Sequence, residues 1–179
     1  MTELINLAKS ILRDLEDSKS LEDIQEKVLL LNDKITQEIE ERAEKKTEDA
    51  TVYTIYFDGA SKGNGGKSSC AISVVNEDNV EIYSNGKFLG NMTNNEAEYQ
   101  GLILGLKWLN ENGHDFAVIK GDSQLVIKQM TGEYKCRAEN LKPYYNECIK
   151  LLKGKNITFC HIERSKNTRA DELANKAIP

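Results

Sequence analysis

Apolar residues recur every three or four positions in the first forty residues of the chain. One stripe covers residues 4–15 and a second covers residues 21–39, with a polar break at residues 17–19. This spacing places the apolar side chains of each segment on one face of an α-helix. The pattern therefore predicts a two-helix extension, in which Ser20 opens the second helix with a capping box.

The hydrophobic pattern changes after residue 50 to alternating segments that are separated by turn residues. Strands are predicted over residues 51–58, 68–75, 80–89, 116–121 and 157–162, and helices over 94–112, 123–130, 140–152 and 169–177. The order is βββαβααβα, so that three antiparallel strands precede helices that alternate with strands. This order predicts an α/β domain with a mixed five-stranded sheet flanked by helices.

Residues 1–50 also differ from the rest of the chain in composition. They hold 14 acidic and 8 basic side chains, a net charge of −6, whereas residues 51–179 hold 15 and 16, a net charge of +1. The first fifty residues contain no glycine, proline, cysteine or aromatic residue. We therefore expect an acidic helical extension over 1–50, a helical hairpin or interaction module, and a separate domain over 51–179.

The four cysteines are widely spaced and form no C-x-x-C pair. This spacing argues against a zinc ribbon or a disulfide scaffold. No apolar run has the length of a membrane span, and the opening residues lack the basic region of a signal peptide. A cytoplasmic location without membrane association is therefore expected.

Four carboxylates occupy positions that suggest a shared site. Asp58 and Asp122 each close a predicted strand, and strand ends are where ligands bind in open α/β sheets. Glu98 and Asp171 fall on apolar helix faces, whereas Glu96 falls on a more solvated face. Any one of these acids could be a strand-end or helix-terminal charge. Burying four together requires a cation, and ligands that are all oxygen favour Mg²⁺ or Mn²⁺.

Four segments of the second domain resemble the motifs of type 1 ribonuclease H, in the same order. They are YFDGASKGNGG at 56–66, TNNEAEY at 93–99, GDSQLV at 121–126 and NTRADELA at 167–174. The resemblance spans nearly all of residues 51–179 and does not cover 1–50. It implies a ribonuclease H-like fold and an endonuclease that hydrolyses the RNA strand of RNA–DNA hybrids, leaving 5′-phosphate and 3′-hydroxyl ends.

The resemblance also implies roles for individual residues. It makes Asp58, Glu98, Asp122 and Asp171 the ligands of two Mg²⁺ ions, for which Mn²⁺ can substitute. Asp58 would bridge the two ions, Asp171 would help to hold the ion that activates water, and Glu98 and Asp122 would hold the other. Contacts with the hybrid are implied for Ser61, Asn64, Thr93, Asn94, Asn95, Gln124, Arg137 and Asn167.

The chain departs from many relatives in two places. It lacks their glycine- and histidine-rich loop before the last motif, so His161 is assigned no role and is expected to belong to the last strand. Arg164 matches an arginine of the short-loop subgroup and is expected to act at the metal site. An extra basic helix is also missing, so hybrid binding would rest on a partner or on scattered cations: Lys62, Lys67, Lys135, Arg137 and Arg169.

Other interpretations remain open at this point. Residues 61–68 nearly match a phosphate-binding loop, although a strand rather than a helix is predicted to follow. The domain could also be a nonenzymatic nucleic-acid-binding module, or another nuclease of the same fold class such as a transposase or exonuclease. The N-terminal helices could pack on their own domain, form a homodimer or bind a protein partner.

Overall fold

The computed structural model describes residues 2–17, 20–48, 51–63 and 65–179 of the chain. These residues form two compact units, 1–50 and 51–179. The boundary coincides with the change in composition at residue 50. Among the described residues, none of the helices combines the length and the apolar character that crossing a bilayer requires.

The first unit is a helical hairpin of α1 (Thr2–Glu16) and α2 (Leu21–Glu48). Ser20 caps α2, because the backbone N–H of Asp23 donates to Ser20 Oγ over 3.2 Å. The Ser20 hydroxyl in turn donates to Asp23 Oδ2 over 2.7 Å. The predicted helix start is therefore confirmed, and α2 continues well beyond the predicted apolar stripe.

The hairpin packs α1 against α2 along a partly polar seam. Ile11 is buried at this seam, and the ammonium group of Lys27 donates to Ser10 Oγ over 3.0 Å and pairs with Asp14. Large apolar side chains also remain exposed on both helices: Ile5, Leu12, Leu15, Leu21, Val28, Leu29, Leu30, Ile35 and Ile39. The hairpin therefore covers only part of its apolar surface by itself.

The second unit is a mixed five-stranded sheet flanked by helices, as the sequence predicts. Its strands are β1 (Tyr53–Ser61), β2 (Lys67–Val75), β3 (Glu81–Asn91), β4 (Phe116–Gly121) and β5 (Asn156–His161). Its helices are α3 (Asn94–Glu111), α4 (Gln124–Met130), α5 (Lys142–Leu151) and α6 (Thr168–Lys176). The strand order is β3-β2-β1-β4-β5, antiparallel among β1, β2 and β3 and parallel from β1 to β4 and β5.

The sequence predicted that β1 ends at Asp58, but in the structure the strand continues to Ser61. Its antiparallel pairing with β2 runs on to the Ser61–Ser68 pair, whereas its parallel pairing with β4 stops at Tyr56 and Lys120. Asp58 therefore lies inside a strand yet beyond the parallel part of the sheet. The other predicted ends in this unit agree with the structure to within two residues.

Both faces of the central strands are covered. Helix α3 packs against β1 and β2 over a core that includes Ile55, Phe57 and Ile72. Helix α6 packs on the opposite face, where the buried Ser69 hydroxyl donates to Ala174 O over 2.5 Å. The first turns of α3 and the residue before α6 both lie beside the Asp58 segment, since a Cβ atom on Gly59 would meet the backbone of Glu98 and Asn167 donates to Phe57 O.

The phosphate-binding-loop interpretation of residues 61–68 is wrong. The backbone N–H of Lys62 donates to Lys67 O over 2.9 Å, which closes a tight hairpin between β1 and β2. A strand follows this turn, so the helix N-terminus that completes such an anion site is missing here.

Candidate active site

Three carboxylates converge at the edge of the sheet. Asp58 comes from β1, Glu98 from the first turns of α3, and Asp122 from the residue that directly follows β4. One oxygen of each lies within 4.8 Å of the others. Asp58 is 4% exposed and Glu98 is 6% exposed, so Glu98 is buried as its helix face predicted.

Two glycines let α3 approach β1 closely enough to form this cluster. A Cβ atom on Gly59 would lie 2.1 Å from the backbone nitrogen of Glu98, and one on Gly101 would lie 2.7 Å from Asp58 O. Any larger residue at either position would push the helix away from the strand. Gly59 and Gly101 therefore allow Asp58 and Glu98 to come together.

Burial and mutual repulsion destabilise the charged forms of these acids. Desolvation, followed by the charges of Asp122 and Asp171, raises the pKa of Asp58 to about 7. Desolvation and the charges of Asp58 and Asp122 raise the pKa of Glu98 well above its usual range. The clustered carboxylates are therefore costly to ionise together, and a bound cation would lower that cost.

The donor set fits a hard divalent cation. All the converging atoms are carboxylate oxygens, which are the ligands that Mg²⁺ prefers. Glu98 Oε2 is buried and has no hydrogen-bond partner. A buried carboxylate oxygen without a partner is costly, and a cation would satisfy it.

Asp171 stands apart from these three acids. Its Oδ1 accepts from Arg164 Nη2 over 2.8 Å, and its Oδ2 accepts from Asn175 Nδ2 over 3.0 Å. It is nevertheless close enough to contribute to the raised pKa of Asp58. The structure thus gathers three of the four predicted carboxylates and pairs the fourth with Arg164, which a 3₁₀ turn over Arg164–Lys166 presents.

Asn167, for which the resemblance implied a contact with the hybrid, lies inside the protein. Only 1% of the residue is exposed. Its side-chain nitrogen donates to Phe57 O over 2.8 Å and to Asp122 Oδ1 over 2.7 Å. This amide therefore faces the protein interior, whereas the resemblance implied a contact with the hybrid.

Thr93 is the N-cap of α3 and forms a capping box with Glu96. The backbone N–H and the hydroxyl of Thr93 donate to Glu96 Oε2 over 2.8 and 2.7 Å, and the Glu96 N–H approaches Thr93 Oγ1 at 3.4 Å. Sequence reasoning placed Glu96 on a solvated face and missed this role. The T-x-x-E spacing of residues 93–96 is the signal that reveals it.

The other residues expected to contact the hybrid differ in their exposure. Asn94, Asn95, Gln124 and Arg137 are exposed. The Ser61 hydroxyl is partly buried and lies 2.8 Å from the carbonyl oxygens of Gly63 and Met92. Asn64 lies outside the described residues.

The basic residues expected to bind the hybrid differ in their exposure and in their contacts. Lys62, Lys67 and Lys135 are exposed. Arg169 instead forms two 2.8 Å hydrogen bonds with Glu81, so it is engaged within the protein. His161 ends β5, as expected, with its Nε2 at 3.2 Å from Asp122 O.

Comparison with known proteins identifies relatives of the second unit. A family model described as reverse transcriptase-like matches residues 56–177. A protein named ribonuclease HI from Halobacterium salinarum is 39% identical over 124 residues, which cover 69% of this chain and 62% of that protein. The chain therefore spans less than two thirds of that relative's length.

Solved structures agree with this relationship. The crystal structure of RNase H1 from Halobacterium salinarum NRC-1 is 38% identical, with a TM-score of 0.67 over 70% of this chain and 96% of that one. LC11-RNase H1 in complex with an RNA/DNA hybrid is 33% identical, with the same TM-score and the same coverage. These matches confirm both the ribonuclease H-like fold and the resemblance to type 1 ribonuclease H, and the chain belongs to the reverse transcriptase-like family.

Proposed function

We propose that residues 51–179 form a ribonuclease H domain, an endonuclease that hydrolyses the RNA strand of RNA–DNA hybrids and leaves 5′-phosphate and 3′-hydroxyl ends. The observation that carries this proposal is the cluster of Asp58, Glu98 and Asp122, each in a motif that resembles this family. One oxygen of each lies within 4.8 Å of the others, and Asp58 and Glu98 are buried. Relatives that bear the name ribonuclease H support it, one of them solved with a hybrid.

Asp58, Glu98 and Asp122 would hold a divalent ion, and Asp171 would complete the set for a second one. Mg²⁺ is the expected ion, and Mn²⁺ could substitute because both accept oxygen ligands. When bound, a pair of such ions supplies charge stabilisation for the attacking and leaving oxygens of phosphoryl transfer. The chain's own contribution is to hold the four carboxylates at the edge of the sheet.

Arg164 would bind the phosphate or the product next to this cluster. Its side chain is 78% exposed and lies 2.8 Å from Asp171. A guanidinium at the rim of an anionic site can form charge-assisted hydrogen bonds with phosphate oxygens. Its exposure leaves most of its donors available for that contact.

The exposed amides would provide the distinction between RNA and DNA. Asn94 and Asn95 begin α3, the helix that carries Glu98. Gln124 begins α4, two residues after Asp122. An amide can both donate to and accept from a 2′-hydroxyl group, which only RNA has. Ser61, Thr93 and Arg137 would contact the hybrid backbone, as would Asn64.

A nonenzymatic binding module is the second candidate function. A clustered negative charge repels the phosphates that such a module must bind. The buried carboxylates are therefore explained by metal-dependent chemistry and not by binding alone. Another nuclease of this fold would share the carboxylates, but that function would not explain the asparagine pair at 94 and 95.

The deciding experiment uses a hybrid duplex labelled in turn on each strand, with Mg²⁺, Mn²⁺ or a chelator. Cleavage of the RNA strand alone, only with metal, is expected. Asp58→Asn and Asp122→Asn should each remove nearly all activity while circular dichroism shows an intact fold. Binding without cleavage would establish the nonenzymatic module, and cleavage of the DNA strand would establish a different nuclease.

The helical hairpin is proposed as an interaction module, for a second copy of the chain or another protein. Its exposed apolar side chains on both helices support this role.

A cytoplasmic location is proposed as well. All four cysteines are free thiols, as expected in a reducing compartment.

A further inference from the structure

Asn167 lies between the 3₁₀ turn and α6, and both hydrogens of its amide are used inside the protein. One is donated to Phe57 O over 2.8 Å and the other to Asp122 Oδ1 over 2.7 Å. Both partners can only accept, so the amide orientation is fixed: the reversed orientation would set its oxygen against two other oxygens. The side chain is therefore a double donor that cannot be replaced by a residue without two N–H groups.

The same residue forms hydrogen bonds next to, or directly with, each of the three aspartates of the site. Phe57 directly precedes Asp58 in β1, and Asp122 is bonded directly. The backbone carbonyl oxygen of Asn167 accepts from the backbone N–H of Asp171 over 3.1 Å, which is the first hydrogen bond of α6. A single residue thus connects the backbone of β1, the side chain of Asp122 and the start of the Asp171 helix.

Asp122 needs such a restraint because its neighbours repel it. One of its carboxylate oxygens lies within 4.8 Å of an oxygen of Asp58 and an oxygen of Glu98, a distance at which like charges repel. A freely rotating Asp122 side chain would relieve this repulsion by turning towards solvent. The donated hydrogen bond from Asn167 opposes that rotation and leaves the other carboxylate oxygen of Asp122 available.

We infer that Asn167 is a positioning residue that sets the geometry of the carboxylates for metal binding, rather than a contact to the hybrid. This inference rests on the proposed function. Groups that hydrogen-bond metal-ligating carboxylates typically change metal affinity or activity by about 10–100-fold when they are removed. A contact to the hybrid would act on substrate binding instead.

The test compares the full chain with Asn167→Ala and with Ser69→Ala as the matched control. Ser69 anchors the other end of the same helix, since its buried hydroxyl donates to Ala174 O over 2.5 Å. Ser69→Ala therefore loosens α6 without touching a carboxylate. Calorimetric titration with Mg²⁺ alone and steady-state hydrolysis of a hybrid are measured for all three proteins.

Asn167→Ala should bind Mg²⁺ at least about tenfold more weakly and lose kcat with KM unchanged. Ser69→Ala should keep Mg²⁺ affinity and kcat while its Tm falls. Wild-type Mg²⁺ affinity in Asn167→Ala, a rise in KM alone, or the same Mg²⁺ loss in Ser69→Ala would each overturn the inference. A wild-type protein that neither binds Mg²⁺ nor cuts the hybrid would instead refute the proposed function.

A second measurement needs no substitution at residue 167, should Asn167→Ala fail to fold. The side-chain amide signals of Asn167 in nitrogen-15 NMR spectra should shift when Mg²⁺ is added to the wild-type protein. The shift should be lost in Asp122→Ala, because the link to the metal site is then removed. Amide signals of Asn167 that Mg²⁺ leaves unmoved in the wild-type protein would also overturn the inference.

Discussion

Glu96 and Glu98 show how two identical residues on one helix acquire different functions. They are two positions apart in α3, so they point to different sides of the helix. Glu96 closes the capping box with Thr93, whereas Glu98 is 6% exposed and joins Asp58 in the carboxylate cluster. The helix start and the carboxylate cluster therefore each depend on one of the two glutamates.

Glu98→Gln should abolish hydrolysis of the hybrid, because it removes a charged oxygen from the buried cluster. Glu96→Gln should leave kcat nearly unchanged, since glutamine also serves in a capping box. Both variants are compared by kcat and by circular dichroism. As a control, Thr93→Ala should lower the free energy of unfolding by about 1 kcal/mol through loss of the cap. Greater loss of activity in Glu96→Gln than in Glu98→Gln would contradict the assignment.

Arg164→Ala should lower kcat on the hybrid by about tenfold, the effect of one lost charge-assisted hydrogen bond of about 1.5 kcal/mol. Its side chain is 78% exposed, so the fold should be unaffected. His161→Ala serves as the control, with little change expected because His161 is assigned no part in the chemistry. Equal kcat for wild type and Arg164→Ala at saturating hybrid would show that Arg164 does not contact the phosphate.

At the scale of secondary-structure elements, one ion pair fastens α6 to the sheet. Arg169 at the start of α6 donates two 2.8 Å hydrogen bonds to Glu81 at the start of β3. Ser73 in β2 donates a third to Glu81 over 2.7 Å. The hydrogen bonds from Arg169, more than any other cause, lower the pKa of Glu81 to about 2. The helix that carries Asp171 is thus held to two strands through one carboxylate.

Glu81→Gln should lower the free energy of unfolding by about 1 kcal/mol at neutral pH, a modest value because the Arg169 side chain is 48% exposed. The folded pKa lies below the ordinary value of 4.5, so the stabilisation is complete above that pH. It is lost as the pH falls from 4.5 towards 2. Denaturant unfolding of both proteins across this range measures the difference, which should shrink on acidification. A difference that stays constant would rule out the ion pair as its source.

At the scale of the whole molecule, the carboxylates and the sheet that positions them lie in residues 51–179. The hairpin of residues 1–50 contributes a net charge of −6, which is unsuited to binding phosphates. It also lacks the aromatic residues on which bases stack. Its exposed apolar side chains suit another protein surface better than nucleic acid.

A protein truncated to residues 51–179 should therefore fold and cut the hybrid with unchanged kcat. Light scattering of the full-length and truncated proteins measures whether the hairpin pairs two chains, in which case only the full-length protein is dimeric. A folded truncated protein that no longer binds the hybrid would show that the hairpin carries substrate contacts. A truncated protein that does not fold would show that the hairpin supports the domain.

The sequence alone was enough to predict the order of the strands and helices and the burial of Glu98. Hydrophobic periodicity is a local property, so it identifies β4 and the inward face of Glu98 without knowledge of the fold. The ordered motifs likewise predicted the ribonuclease H-like fold. Capping at Ser20 was predictable for the same reason, since the cap and its partner are three residues apart.

Only the tertiary structure decided what depends on residues distant in the chain. Strand β1 passes Asp58 because β2 continues to pair with it, and pairing is a property of two segments. Asn167 lies 45 residues from Asp122, so its burial and its hydrogen bonds could not be derived from local spacing. The pairing of Asp171 with Arg164 and the raised pKa of Asp58 arise in the same way, because charge interaction and desolvation depend on distances that only the folded chain sets.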